Sequence, residues 1–389
     1  MTPSDSRELD RVCEEVAAAL IDGGTEPPFD VASSDFATDP YLICADRYWR
    51  RRFLDRPGVR TAAECARWLA GHVAEGHRTE VREKWSLGYA FITRHTVESL
   101  GELAEATEEI VARDGSSCDT AYFVTLYHAG KLRSNFWYDE LHTFLESSLP
   151  AMAVGAHRED PLFTALRSFA AFGSRAITAE HAIDLLGQAW DHPRRTRHVV
   201  DICLNGLACA SPFDGNGELL LRHAEQAVAA YPGDHIFRFR LAAGQHKCAQ
   251  HDAALESIDK ALRLLPAIGS RVSHELLQEQ YRKLRDDIQE GRLRAVWAAE
   301  QQLRWERGEA ARRELEHTVR SSTVRAVELV AVFTAAIAFA VGSLQVTLNG
   351  TLPLRDRMWL LVAQGAGLAV FAALIVGGTW LITRGRHRE

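Results

Sequence analysis

The residues best suited to chemistry in this chain stand at spacings that argue against it. Sixteen histidines invite a metal reading, and His246 and His251 flank Cys248, yet an expected helix break falls between the two imidazoles. No second pair follows at the interval from which a zinc site assembles its ligands, so no metal or cofactor is expected. Asp139, Glu140 and His142 bring carboxylates near an imidazole, as general acid–base work requires. Beside Trp137, Tyr138 and Phe144, however, they read as the polar side of one amphipathic helix. Gly130-Lys131 has the ending of a phosphate-binding loop, but Leu132 replaces the required hydroxyl and the upstream glycine is missing. GxGxxG, GxSxG and HExxH are all absent, and no enzymatic activity is expected. The run Trp49-Arg50-Arg51-Arg52-Phe53 sets rings beside guanidinium groups, as base-stacking surfaces do. One such run in a chain of net charge −7 falls short of a nucleic-acid face, and a solvated helix surface is expected instead.

Positioning elements follow from where charge and apolar residues concentrate. Residues 1–40 hold ten Asp or Glu against two Arg, so this acidic arm accounts for more than the whole net charge. With Pro3, Pro27, Pro28 and Pro40 it predicts a short helix over about Glu8–Ile21 and then an irregular, partly disordered linker. Seven Cys without CxxC spacing suit reduced, buried thiols in a cytosolic body. Nothing near the N-terminus reads as a cleaved signal peptide. Lys supplies only five of the 45 basic residues, a bias typical of GC-rich bacterial genomes.

From 41 to 269 the chain alternates amphipathic helical segments with Gly, Pro, Asp or Asn breaks, predicting an all-α body. Within it lies an internal repeat: Leu220, Ala224, Ala227 and Pro232 recur 34 residues later as Ala254, Ile258, Ala261 and Pro266. Ala182, Leu186, Ala189 and Pro193 echo the pattern upstream at 38 and 39 residues. The segment AALESIDKALRLLP, after Leu241 and Ala242, resembles a tetratricopeptide repeat at its packing positions and closing proline, while the signature Trp and Tyr of the first helix are absent. The resemblance is clearest over 160–269 and implies a helical-hairpin solenoid with a concave, protein-binding groove. It implies too that first helices face the groove, carrying Arg194, Arg195, Arg197, Arg238 and Arg240 toward an acidic peptide or C-terminal carboxylate. Ordinary solvated arginines are the alternative.

Residues 270–325 form a long charged helix or stalk, with Leu277, Tyr281, Leu284 and Ile288 near heptad spacing, about 80 Å long if fully helical. That stripe suits either a coiled coil, weakened by Gly291 and Gly308, or packing against the body's end. Residues 326–389 then read as a transmembrane hairpin, with spans over 329–348 and 358–382 and a basic tail. Each is charge-free and reaches the roughly 30 Å of a hydrocarbon core. Arg307, Arg312, Arg313, Arg320, Arg325, Arg384, Arg386 and Arg388 flank the pair and only Arg355 and Arg357 separate it, which predicts both termini in the cytoplasm of a bacterial inner membrane. Trp359 and Trp380 mark the ends of the second span. Small residues at four-residue steps, among them Ala336 and Ala340, Ala363 and Gly367, and Ala373 and Gly377, suit helix contacts within the hairpin or between subunits of a homo-oligomer. Gln345 and Gln364 are expected to hydrogen-bond across the hairpin or line a polar path, and Glu328 to reach water at the cytosolic edge.

The expectation is a multi-pass, membrane-tethered scaffold or sensor whose solenoid binds a protein partner. A rival rests on layout over 271–389, which resembles the two-transmembrane effectors of bacterial conflict and antiphage systems; that resemblance implies oligomerisation-driven, pore-forming membrane damage. A subunit of a larger membrane complex is a third reading.

Overall fold

The structure, a computed structural model, describes residues 3–95, 99–113, 117–265, 271–348 and 353–385. Among these it is all-helical: α1 (Pro3–Asp22), α2 (Pro40–Asp55), α3 (Val59–His72), α4 (Glu75–Ile92), α5 (Leu100–Arg113), α6 (Cys118–Ser134), α7 (Tyr138–Ser147), α8 (Leu149–Ala153), α9 (Pro161–Gly173), α10 (Ala179–Trp190), α11 (Arg197–Cys209), α12 (Asn216–Ala230), α13 (His235–Lys247), α14 (His251–Leu264), α15 (Arg271–Leu348) and α16 (Leu354–Gly385). Short side chains stop and start them. Asp39, Ser117, Thr178, Thr196 and Asp234 each accept a backbone N–H at the head of the helix they precede. The chain divides into two compact units, Met1–Arg294 and Ala295–Glu389.

Within the first unit an aromatic-rich core joins α1 to α6. Phe53 is fully buried and stacks on Tyr89 at 4.5 Å, with Tyr127 at 5.4 Å on its other flank. A larger core runs from α4 to α13, where neighbours one and two along the chain pack on each other: α9 on α10 and α11, and α12 on α13. The repeat positions Leu220, Ala224, Ala227, Ala254, Ile258 and Ala261 are all buried, on α12 and α14. Ala182, Leu186 and Ala189 fill the same role on α10. The closing Pro266 lies outside the described residues. Gly130 permits a close crossing, since a Cβ there would sit 2.7 Å from that of Ala90 on α4. Packing therefore accounts for the Gly130-Lys131 pair.

Two expectations need correcting here, and an alternative left open is decided. The acidic arm is docked: Arg47 meets Asp10 at 2.5 Å, and Arg51 donates to Glu14 at 2.7 Å. Its linker is held by Trp68, which donates to the Pro27 carbonyl at 2.8 Å, and by a bridge between Val31 and Val73. The arginine-rich run is correspondingly not a solvated face, because Trp49 is fully buried, Arg51 is spent on the arm and Arg52 pairs with Glu64 at 2.8 Å. For the open alternative, Leu277, Tyr281, Leu284 and Ile288 pack with Ala254, Ile258 and Ala261 of α14. The start of α15 thus uses its apolar stripe on the body, not on a coiled-coil partner.

In the second unit α15 holds the one helix stretch among the described residues long and apolar enough to cross a membrane, with mean hydropathy 2.1 over its best window and none of that window buried. Ala335, Phe339 and Gly342 form a half-buried stripe on α15, as do Arg357, Gln364 and Leu368 on α16. Helix α16 covers the expected second span, though most side chains beyond Ala373, Trp380 among them, lie outside the described residues.

The docked arm makes a prediction. Arg47→Glu should accelerate limited proteolysis between residues 23 and 39 several-fold, and Asp10→Arg in the same chain should restore part of the protection, as a half-buried pair of about 1 kcal/mol implies. Unchanged cleavage in Arg47→Glu would mean the ion pair does not hold the arm.

Candidate functional site

The five groove arginines occupy separate environments. Arg194 and Arg195 precede α11, in the turn after Trp190. Arg194 reaches Asp160 at 3.1 Å, while Arg195 folds back to donate to the Trp190 carbonyl at 2.6 Å and covers that indole. Arg197 is bonded to Asp234 at 2.7 Å, tying the start of α11 to the cap of α13. Arg240 donates to Asn205 at 2.5 Å. Arg238 keeps a buried Nε–H without an acceptor. Only Arg197 and Arg240 face common ground, for both bear electrostatically on Tyr281.

Around those two lies a half-buried polar region that spacing did not single out. Burial pulls the Lys84 ammonium down to about 8, helped by Arg197 and Arg47 and opposed by Asp46. His198 is pulled down to about 4, by burial first and Arg197 next, so its imidazole is neutral at physiological pH. Burial lowers the Arg133 guanidinium as well, with Arg240 reinforcing and Asp201 opposing. Arg133 projects from the end of α6 over the Phe169 ring, at 5.8 Å, and its buried Nε–H finds no acceptor. A desolvated guanidinium in that condition is costly and attracts an incoming anion. Tyr281 closes one side, bonded to His235 at 2.7 Å and stacked on Phe239 at 4.5 Å. One signal was legible: Arg197, Asp201 and Asn205 recur at four-residue steps on α11, a polar stripe within an apolar helix. Arg133 carries no such signal, because its exposure is set by neighbours distant in sequence.

Carboxylate and imidazole do meet elsewhere, at His157. One ring nitrogen lies 2.9 Å from Asp160 and the other 3.3 Å from Asp119, with the ring stacked on Tyr122 at 4.3 Å. Both nitrogens are occupied, so none is left for a substrate. Asp139, Glu140 and His142 do not converge: Asp139 accepts from Ser174 at 2.5 Å, and the His142 Nδ1 has no partner. Among the described residues no group of three or more His, Cys, Asp or Glu could hold a metal.

The residues of the two expected spans also differ from expectation in one respect. Gln364 lies on the sheltered stripe of α16 with its Oε1 unpartnered, whereas Gln345 is exposed on α15, so no hydrogen bond joins them. Helical phase sets the two amides on different faces. Ala363 and Gly367 face outward with open space beside Gly367, and Gly377 likewise has nothing near its Cα. Glu328 is half-buried at the head of the apolar stretch.

Comparison with protein-family models, with curated proteins and with solved structures finds no match.

Beneath the polar region Glu83 is buried, with Thr196 donating to it at 2.6 Å across 113 residues. Burial pushes its carboxyl up to about 7, against the opposing pull of Thr196 and Arg82. Because the folded value stands above that of an unfolded glutamate, the folded chain binds the extra proton between about 4.5 and 7 and loses stability as pH rises through that window. Glu83→Gln should be near neutral at pH 4 and stabilising by up to about 3 kcal/mol at pH 8, read from denaturant midpoints. An equal effect at both pH values would refute the buried, protonated carboxyl.

Proposed function

We propose that this chain is a membrane-tethered helical scaffold or sensor, anchored by α15 and α16 on the cytoplasmic face of a bacterial inner membrane, whose tetratricopeptide-like body takes an acidic segment of a protein partner. The observation that carries the reading is the bilayer-length apolar stretch of α15, none of it buried. In water that surface would be an aggregation site; in lipid it is matched to its solvent. A second span through α16 satisfies the same requirement, and the excess of Arg outside the pair over Arg355 and Arg357 between them sets both termini inside. For the partner, support comes from Arg133, Arg197 and Arg240, two of which, Arg133 and Arg240, have no acceptor for a buried Nε–H. An acidic side chain or a free C-terminal carboxylate supplies the missing acceptor with bidentate geometry.

Two measurements test this. The intact chain should stay with carbonate-washed membranes, and a chain ending at residue 326 should be released; an intact chain that is monomeric in detergent-free buffer removes the membrane reading. A fluorescent Asp/Glu-rich peptide should bind the detergent-solubilised chain, with Arg133→Ala weakening it about tenfold, the loss of one charge-assisted hydrogen bond. Equal affinity in that variant removes the assignment of the groove.

A second reading, a pore-forming effector of a conflict or antiphage system, is favoured by the outward-facing small residues Ala336, Ala340, Ala363 and Gly367, free for contacts between copies in a homo-oligomer. Clustering the chain in liposomes should then release dye; intact vesicles under clustering favour the passive anchor. Membership of a larger complex predicts instead that the chain is degraded when expressed alone.

A further inference from the structure

The corner between α13 and α14 brings together two histidines that the chain direction separates. His246 ends α13 and His251 begins α14, and the left-handed backbone of Ala249 between them turns the chain back so that their Nδ1 atoms face each other at 3.3 Å. That separation is long for an N–H hydrogen bond, which centres near 2.9–3.0 Å. It equals the edge of a tetrahedron whose arms are metal–imidazole bonds of about 2.0–2.1 Å, for which the ligand–ligand distance is about 3.3–3.4 Å.

The third wall of the corner is made for these rings. Gly291 of α15 lies against them, and a Cβ there would stand 2.9 Å from Cε1 of His246 and 2.9 Å from Cε1 of His251. Glycine in a helix interior costs about 1 kcal/mol relative to alanine. At Gly308, seventeen residues on, nothing lies within 4 Å, so the two glycines of this stretch are not equivalent. Both rings are half-buried, open enough for an ion to enter. Asp287 of α15 bears electrostatically on His246. Asp252 is engaged by Arg292 at 2.9 Å. The Cys248 sulfur is turned to Gly217 of α12, where a Cβ would meet it at 3.2 Å, and so points away from the imidazoles.

We propose that His246 and His251 form a two-imidazole site for a divalent transition metal of the zinc, nickel and copper group, with water completing the coordination. Two protein ligands make an open, exchangeable site, unlike a closed structural zinc centre, and imidazole donors select this group of metals over magnesium or calcium. Binding would fasten the α13–α14 corner, drawing stability from the bound state by mass action.

Calorimetric titration of Zn2+ into the metal-stripped full chain in detergent is the test. One equivalent should bind in the wild type and be lost in His246→Asn and in His251→Asn, and Cu2+ in the same site should show two nitrogen donors by electron paramagnetic resonance. Gly291→Ala keeps both histidines and should weaken Zn2+ binding at least tenfold by wedging the rings apart, so the inference remains testable even where an asparagine variant fails to fold. No Zn2+ uptake at millimolar concentration, or uptake equal in the wild type and Gly291→Ala, would overturn it.

Discussion

An α-helix satisfies its own backbone, so what surrounds it is decided by side chains alone, and in α15 those side chains change solvent preference along a single rod. Up to Arg325 the helix is laced with pairs such as Arg312 with Glu316 and Arg313 with Glu309, suited to water. From Leu329 onward no charge follows for twenty residues, and the apolar stretch is nowhere more than half-buried among its described side chains. One continuous helix cannot fold that surface inward. The same helix therefore presents two surfaces of opposite solvent preference, the second long and apolar enough to cross a membrane.

The body faces the opposite problem, burying charge among helices. Several of its charged groups are answered from far along the chain: Arg47 by Asp10, Arg167 by Glu146, Arg197 by Asp234, and Glu83 by the Thr196 hydroxyl. Such pairs add modest stability, but each fixes a helix relative to one distant in sequence, because a buried charge that loses its partner is expensive. Arg133 breaks this pattern. A guanidinium desolvated over Phe169, with its Nε–H unanswered, is a cost that Asp201 offsets only in part. Arg240 shares the condition, with its own buried Nε–H unanswered.

Periodicity carried much of this architecture into the sequence. The helical body, the buried repeat positions of α10, α12 and α14 and the apolar stretch of α15 all follow from spacing, because each reports one face of one helix. Contacts between helices do not. Leu277, Tyr281, Leu284 and Ile288 have the same stripe whether they meet a coiled-coil partner or α14, and only the fold decides. The arm misled for a similar reason: acidic, proline-punctuated sequence looks unstructured until its carboxylates are seen against Arg47 and Arg51, encoded some 37 residues away. At the candidate groove the arginines of α11 and α13 were visible as residue types, but their division into paired and unpaired was not. Gln345 and Gln364 sit at comparable depth in the sequence pattern yet on different faces, a distinction of helical phase that depth cannot reveal.

The way the arm is tied down sets where the net charge of the chain is carried. Asp10 and Glu14 serve as counter-ions for α2, so part of the formal negative charge is consumed inside the molecule. The same pairs consume Arg47 and Arg51, so a visiting protein or a phospholipid headgroup would sense an unchanged net charge of −7, carried by the groups that still face solvent.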